Sequence, residues 1–264
     1  MVWITGASEG IGRALAKVFA QEGARLILSS RREDKLKLVA ESCLAQGAIA
    51  AHHIAFDLED DLALDAACKK AQSLFGSIDV LVLNAGLSQR AFAAETTVNT
   101  FRRLMNVNYL ANVRITLNLL KGLLKAKSQI VVISSLVGKF GSPYRSGYAA
   151  SKHALHGFYD SLRAEHIDAL AVSIICPGFI KTDLSLHALK GDGQALNIMD
   201  DAQASGMLAE VFANRAIKGI SLGKAEMYIG GKERMGVYLK RFFPGLFRKL
   251  ISKAKVRWES LIRN

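Results

Sequence analysis

Val2-Trp3-Ile4-Thr5-Gly6-Ala7-Ser8-Glu9-Gly10-Ile11-Gly12 decides how the chain is read. A short apolar, strand-like run passes into a glycine-bearing turn, and residues 11–20 then follow at helical spacing. A helix that starts at such a turn presents free backbone N–H groups, which suit a phosphate. The spacing Gly6-x-x-x-Gly10-x-Gly12 is not the common G-x-G-x-x-G fingerprint. The physics is similar: glycine lets the backbone turn sharply and approach a pyrophosphate closely.

Outward from this stretch, strand-like and helix-like segments alternate. Apolar strands are expected near residues 26–29, 48–55, 78–83, 130–133, 171–176 and 226–229. Helices are expected at about 33–46, 61–75, 148–168 and 202–216, with one long helix over 100–125. This alternation implies an α/β fold: a doubly wound parallel sheet of about seven strands with helices on both faces. Its ligand crevice would lie beyond the strand C-termini.

The second strand ends in Ser30-Arg31-Arg32, and no acid occupies positions 28–32. An acid there suits a ribose 2′-hydroxyl, whereas arginine accommodates a 2′-phosphate. NADP(H) is therefore expected over NAD(H), with Arg31 as first choice and Arg32 as second. The competing reading is two solvated arginines at a helix start, where the helix dipole does not favour positive charge.

Ile130-Val131-Val132-Ile133 ends at Ser134-Ser135, and a loop follows through Gly138, Gly141 and Pro143. Tyr148-Ala149-Ala150-Ser151-Lys152 then opens a helix, and residues four apart share a helix face. An ammonium beside a phenol favours the phenolate, so a lowered Tyr148 pKa is expected. Tyr228-Ile229-Gly230-Gly231-Lys232 has the same spacing and serves as a control. Two glycines argue against a helix there.

Taken together, Thr5–Gly12, Asn84-Ala85-Gly86, Ser135, Tyr148 and Lys152 resemble the short-chain dehydrogenase/reductase family over residues 2–230. The resemblance implies a Rossmann-fold enzyme that transfers hydride between a nicotinamide and a carbonyl or secondary alcohol. It implies Asn108, Ser135, Tyr148 and Lys152 as catalytic. Cofactor contacts would come from Gly6, Ser8, Glu9, Gly10, Ile11 and Gly12, from Arg31 and Arg32, and from Asp57 and Leu58. Asn84, Ala85 and Gly86 would add to these, as would Tyr148, Lys152, Pro177, Gly178, Ile180 and Thr182. By the same resemblance Asn108 would hold a water linking Lys152 to solvent, and a homo-oligomer is expected. Residues 183–205 lack a clean period and would carry substrate specificity as a lid or binding loop.

Cys43, Cys68 and Cys176 are widely spaced and odd in number, so buried reduced thiols are expected and no metal set. Val2-Trp3-Ile4 already reads as a strand, so no leader is expected before it. No apolar run reaches the length of a membrane span. A cytoplasmic location is expected, with the tail as the candidate for peripheral hold on a membrane.

The net charge is +12, unevenly spread. Residues 215–264 hold 13 Lys/Arg against 3 Asp/Glu, while residues 1–214 are nearly balanced. The division expected is a catalytic domain over 1–231 and a basic amphipathic extension over 232–264. In the extension Phe247, Leu250, Ile251, Ala254, Trp258, Leu261 and Ile262 share one face, flanked by Arg248, Lys249, Lys253, Lys255 and Arg257. Such a helix suits an anionic membrane surface. The alternatives are docking on the domain or on a second subunit.

Pro143–Tyr148, Thr182–Ser185 and Phe243–Phe247 sharpen the resemblance to the member-seven, B-type subgroup and its bacterial relatives. That subgroup is linked with lipid-type ketones such as acyl- or alkyl-dihydroxyacetone phosphate. Two rivals remain: a non-catalytic NADP-binding sensor or scaffold on the same fold, and nucleic-acid binding, which lacks a recognition motif and is not expected.

Overall fold

The computed structural model describes the backbone of residues 1–262 and the side chains through residue 253. The elements in order are β1 (Val2–Thr5), α1 (Gly10–Gln21), β2 (Arg25–Ser30), α2 (Glu33–Ala45), β3 (Ala50–Ala55), α3 (Asp61–Phe75) and β4 (Val80–Leu83). Then come α4 (Val98–Met105), α5 (Ala111–Lys125), β5 (Gln129–Ile133), α6 (Ser146–Glu165), β6 (Ala171–Pro177) and β7 (Ile180–Lys181). The chain closes with α7 (Asp201–Ala204), β8 (Met207–Leu208), α8 (Ala209–Ser221), β9 (Glu226–Ile229), α9 (Met235–Phe242) and α10 (Pro244–Ile262).

Among the described residues, seven strands form one parallel sheet in the order β3-β2-β1-β4-β5-β6-β9. The strand order reverses between β1 and β4, and a crevice opens there beyond the strand ends. The central strands are apolar on both faces because helices cover both. Trp3, Leu81 and Ile130 pack toward α3, α5 and α6, while Ile4, Leu28 and Val131 pack toward α1, α2 and α8.

Two sequence expectations change. The long helix over 100–125 is divided by a π-helical turn, Asn106–Leu110, between α4 and α5. The extra residue per turn swings Asn108 inward, where it is fully buried. The helix expected over 202–216 is also divided. Gly206 lies so close to Phe179 that a Cβ would meet its carbonyl oxygen at 2.5 Å. The chain there instead forms β8, which pairs with β7 before α8 begins.

For the extension, the start of α10 packs on the body. Phe247 at the start of α10 is buried against Phe140, with ring centroids 5.1 Å apart, and Ile251 packs on the same core. This supports docking for the first turns of α10. Tyr238, Phe242, Phe243, Leu246 and Leu250 stay exposed. The side chains of Ala254, Lys255, Arg257, Trp258, Leu261 and Ile262 lie outside the described residues. Among the described residues no helix is long and apolar enough to cross a membrane.

Candidate active site

The glycine turn after β1 has the close approaches its sequence calls for. Gly6 has φ +66°, and a Cβ on Gly12 would meet the Gly6 carbonyl oxygen at 2.2 Å, so α1 starts hard against the turn. Asn84 fastens this corner to the end of β4. Its Nδ2 donates to the carbonyls of Thr5 at 3.0 Å and Gly6 at 3.2 Å, and its N–H donates to Thr5 Oγ1.

One crevice is lined by Gly6, Ser8, Glu9, Gly10 and Ile11 from this corner, and by Arg31, Arg32, Asp57 and Leu58 beyond β2 and β3. It continues past Asn84, Ala85 and Gly86 to Ser135, Tyr148 and Lys152, and past Pro177, Gly178, Ile180 and Thr182. Gly12 lies behind the turn rather than on the crevice wall. The open cradle along Gly6, Gly10 and Gly86, running from a helix N-terminus to a tyrosine, fits an elongated phosphate-bearing dinucleotide.

The two arginines differ. Arg32 pairs with Glu9 at 2.7 Å and donates to Ser8 Oγ at 3.1 Å. Burial would raise the Glu9 carboxyl, but Arg32, His187 and Lys35 together hold it below its ordinary range. Arg31 is more exposed, and its charged partner is Asp57 at 3.9 Å.

At the other end, α6 carries Tyr148 and Lys152. Its first turn is set by Gln89, whose Oε1 accepts from the N–H groups of Gly147 at 2.7 Å and Tyr148 at 3.3 Å. Gly147 is needed where it stands, because a Cβ would fall 2.7 Å from the Phe101 ring of α4. Lys152 Nζ donates to the Ile133 carbonyl at 2.8 Å and lies 5.8 Å from the Tyr148 ring centroid. Val137 N–H donates to Ser135 Oγ at 3.4 Å, which leaves the Ser135 hydroxyl proton for another acceptor.

The expected lowering of the Tyr148 pKa is reversed. Burial raises the phenol, against opposing pulls from the Arg145 charge, a Ser135 hydrogen bond and the Arg90 charge. Burial also pushes the Lys152 ammonium down to about 8. At neutral pH Tyr148 is thus a protonated donor.

Asn108 is tied into the turn after Gly86. Its Oδ1 accepts from Leu87 N–H at 2.7 Å, and its Nδ2 donates to the Leu87 carbonyl and to Ser151 Oγ, both at 2.9 Å. Its own carbonyl accepts from Asn112 Nδ2 at 2.7 Å. The side chain thus clamps the turn after Gly86.

The control motif behaves as a strand: Tyr228 lies in β9, and its hydroxyl donates to Glu226. The three cysteines are free and buried, and burial raises each thiol. One cluster was not legible in the sequence. His156 lies 3.0 Å from Ser134 Oγ, 3.6 Å from Cys176 Sγ and 3.4 Å from Glu226, which also pairs with Lys139.

The family model described as short chain dehydrogenase matches residues 1–192. The chain belongs to the short-chain dehydrogenase family. It is an oxidoreductase acting on CH–OH and C=O groups. This short-chain dehydrogenase is 38% identical over 256 residues to dehydrogenase/reductase SDR family member 7B of Xenopus tropicalis, covering 94% of this chain and 82% of that one. It is 35% identical to the SDR family protein 7-like of Drosophila melanogaster, covering 98% and 82%.

Two solved structures share its fold. An alcohol dehydrogenase from Thermococcus sibiricus complexed with 5-hydroxy-NADP has a TM-score of 0.76 at 24% identity, covering 88% of this chain and 96% of that one. A short-chain dehydrogenase/reductase from Burkholderia phymatum in complex with NAD has a TM-score of 0.82 at 22% identity, covering 93% and 94%. Sequence inspection missed Gln89, Arg90, Arg145 and Asp200, because their partners lie far away in sequence.

Proposed function

We propose that this chain is an NADP(H)-dependent carbonyl reductase, also able to run as the reverse alcohol dehydrogenase, on a substrate that can be lipid-linked. The observation that carries the reading is the continuity of one crevice from the glycine turn to Ser135, Tyr148 and Lys152. The nicotinamide, when bound, supplies or accepts the hydride.

Tyr148 protonates the substrate oxygen in reduction and takes the proton back in oxidation. Ser135, whose hydroxyl hydrogen-bonds Tyr148, turns its proton to the same substrate oxygen and stabilises developing charge. Lys152, anchored on the Ile133 carbonyl, reaches toward the cofactor's ribose. Arg31 is the more available partner for a 2′-phosphate, since Arg32 is already tied to Glu9 and Ser8. The solved neighbours were found with 5-hydroxy-NADP in one case and NAD in the other, which supports a nicotinamide cofactor here.

The extension associates with anionic membranes through Phe242, Phe243, Leu246 and Leu250, exposed beside Lys240, Arg241, Arg248 and Lys249. A ketone and alcohol panel, lipid-linked compounds included, followed by NADPH absorbance tests the catalytic reading. Failure of every carbonyl compound with both NADPH and NADH would contradict it.

A further inference from the structure

Two arginines and one aspartate meet at the substrate end of the crevice. Asp200 is 5% exposed, and its Oδ2 accepts from Arg90 at 2.9 Å and from Arg145 at 3.2 Å. Its other oxygen accepts from Ala202 N–H. One carboxylate oxygen thus serves two guanidinium groups.

Arg145 is the member of the trio that lines the crevice, together with Tyr148 and Phe179. Its guanidinium lies 5.7 Å from the Phe179 ring centroid. A guanidinium has five N–H donors. Among the described residues, Arg145 has a hydrogen bond to Asp200 and to no other side chain. Asp183 lines the same crevice and forms no ion pair with Arg145 among the described residues, while Glu9 is held by Arg32 at the far end. Burial, reinforced by the Arg90 charge, pushes Arg145 down to about 9, so its charge is costly as it stands.

We propose that Arg145 is a substrate-binding residue that receives a carboxylate, so that the natural substrate is an oxo acid or the matching hydroxy acid. This rests on the reductase reading of the site. The planar fork of arginine matches a carboxylate in bidentate fashion. A carboxylate adds a single counter-charge to a guanidinium that shares its one acidic partner, Asp200, with Arg90; a phosphate monoester would bring about −1.5 to −2 near neutral pH. Phe179 and Leu184 on the same wall suit a hydrocarbon chain beyond the carboxylate.

Calorimetry on the NADPH-loaded protein would compare octanoate with octanamide, which has the same shape and no charge. Octanoate is expected to bind about 10- to 100-fold more tightly, a charge-assisted preference. Arg145→Leu should erase that preference and Arg145→Lys should keep part of it. Asp200 retains Arg90 in both variants, and thermal melts check that each folds. Equal binding of the two probes to the wild type, or a preference that survives Arg145→Leu, would overturn the proposal. A 3-oxo acid panel against methyl esters and phosphate-bearing ketones adds a kinetic reading. Better kcat/KM for esters or phosphates would also overturn it while leaving the reductase reading intact. Tight octanoate binding with no turnover of any carbonyl would instead fault the reductase reading alone.

Discussion

Glu233 Oε1 accepts the N–H of Phe179 at 3.1 Å, so a carboxylate from the first residues of the basic extension holds the turn that closes the crevice. The same oxygen accepts from Gly231 N–H at 2.9 Å. A Cβ on Gly178 would fall 2.0 Å from it, so the contact also requires glycine at that position.

Removing this carboxylate should weaken the site as well as the fold. Glu233→Ala leaves two N–H groups without their partner, and Tm is expected to fall by roughly 3–10 °C with KM for cofactor raised. Truncation after Gly231 should do more damage, because Phe247 leaves too. Melting curves and cofactor titration would check both, and an unchanged KM would show that the turn holds itself.

Arg31→Asp should move cofactor preference away from NADPH, since a cation that can meet the 2′-phosphate becomes an anion that repels it. The kcat/KM ratio of NADPH to NADH should fall at least about tenfold. If Arg32→Ala shifts the ratio and Arg31→Asp does not, the assignment passes to Arg32.

Much of this fold was legible in the sequence. The bounds of α3 and β9 match the apolar periodicity because both are bordered by plain signals, Asp60 as the α3 N-cap and Gly76 and Gly230 as stops. The π turn at Asn106–Leu110 was not legible, because it is enforced by the turn after Gly86 that Asn108 clamps. Tyr148 and Lys152 were legible because their spacing comes with Ser135 at a strand end upstream, which Tyr228 and Lys232 lack. The Asp200 contacts to Arg90 and Arg145 were not, since they join residues 110 and 55 positions apart. The phenol pKa was read in the wrong direction because spacing shows a neighbouring cation and not the depth of burial.

Reduction should depend on pH through Lys152. Its ammonium form exists below its pKa, and burial has brought that down to about 8 from the usual 10.5. Tyr148 is shifted upward and stays protonated across this window. The kcat/KM for reduction is therefore expected to be level near neutrality and to fall as pH rises through about 8. Residual activity in Lys152→Arg should lack that limb. A wild-type profile level to pH 10 would rule out the lysine's role.

Residues 232–264 carry 10 Lys/Arg against 2 Asp/Glu. Each basic residue near an anionic surface contributes about 1 kcal/mol. The protein is expected to float with liposomes containing anionic lipid, to stay in solution with neutral ones, and to be partly released by salt. Phe243→Ser with Leu246→Ser should cut the salt-resistant part while leaving Phe247 in the core. Absence of flotation, with a concentration-dependent change in oligomeric state instead, would recast the ridge as a subunit contact.

Turnover by Tyr148→Phe tests the central claim most directly. The substitution removes the proton that reduction needs and keeps the ring. On a substrate found in the carbonyl panel, kcat is expected to fall by about 10²-fold or more, while NADPH binds with near wild-type affinity. A Tyr148→Phe protein with near-normal kcat would contradict the mechanism, whatever its cofactor affinity.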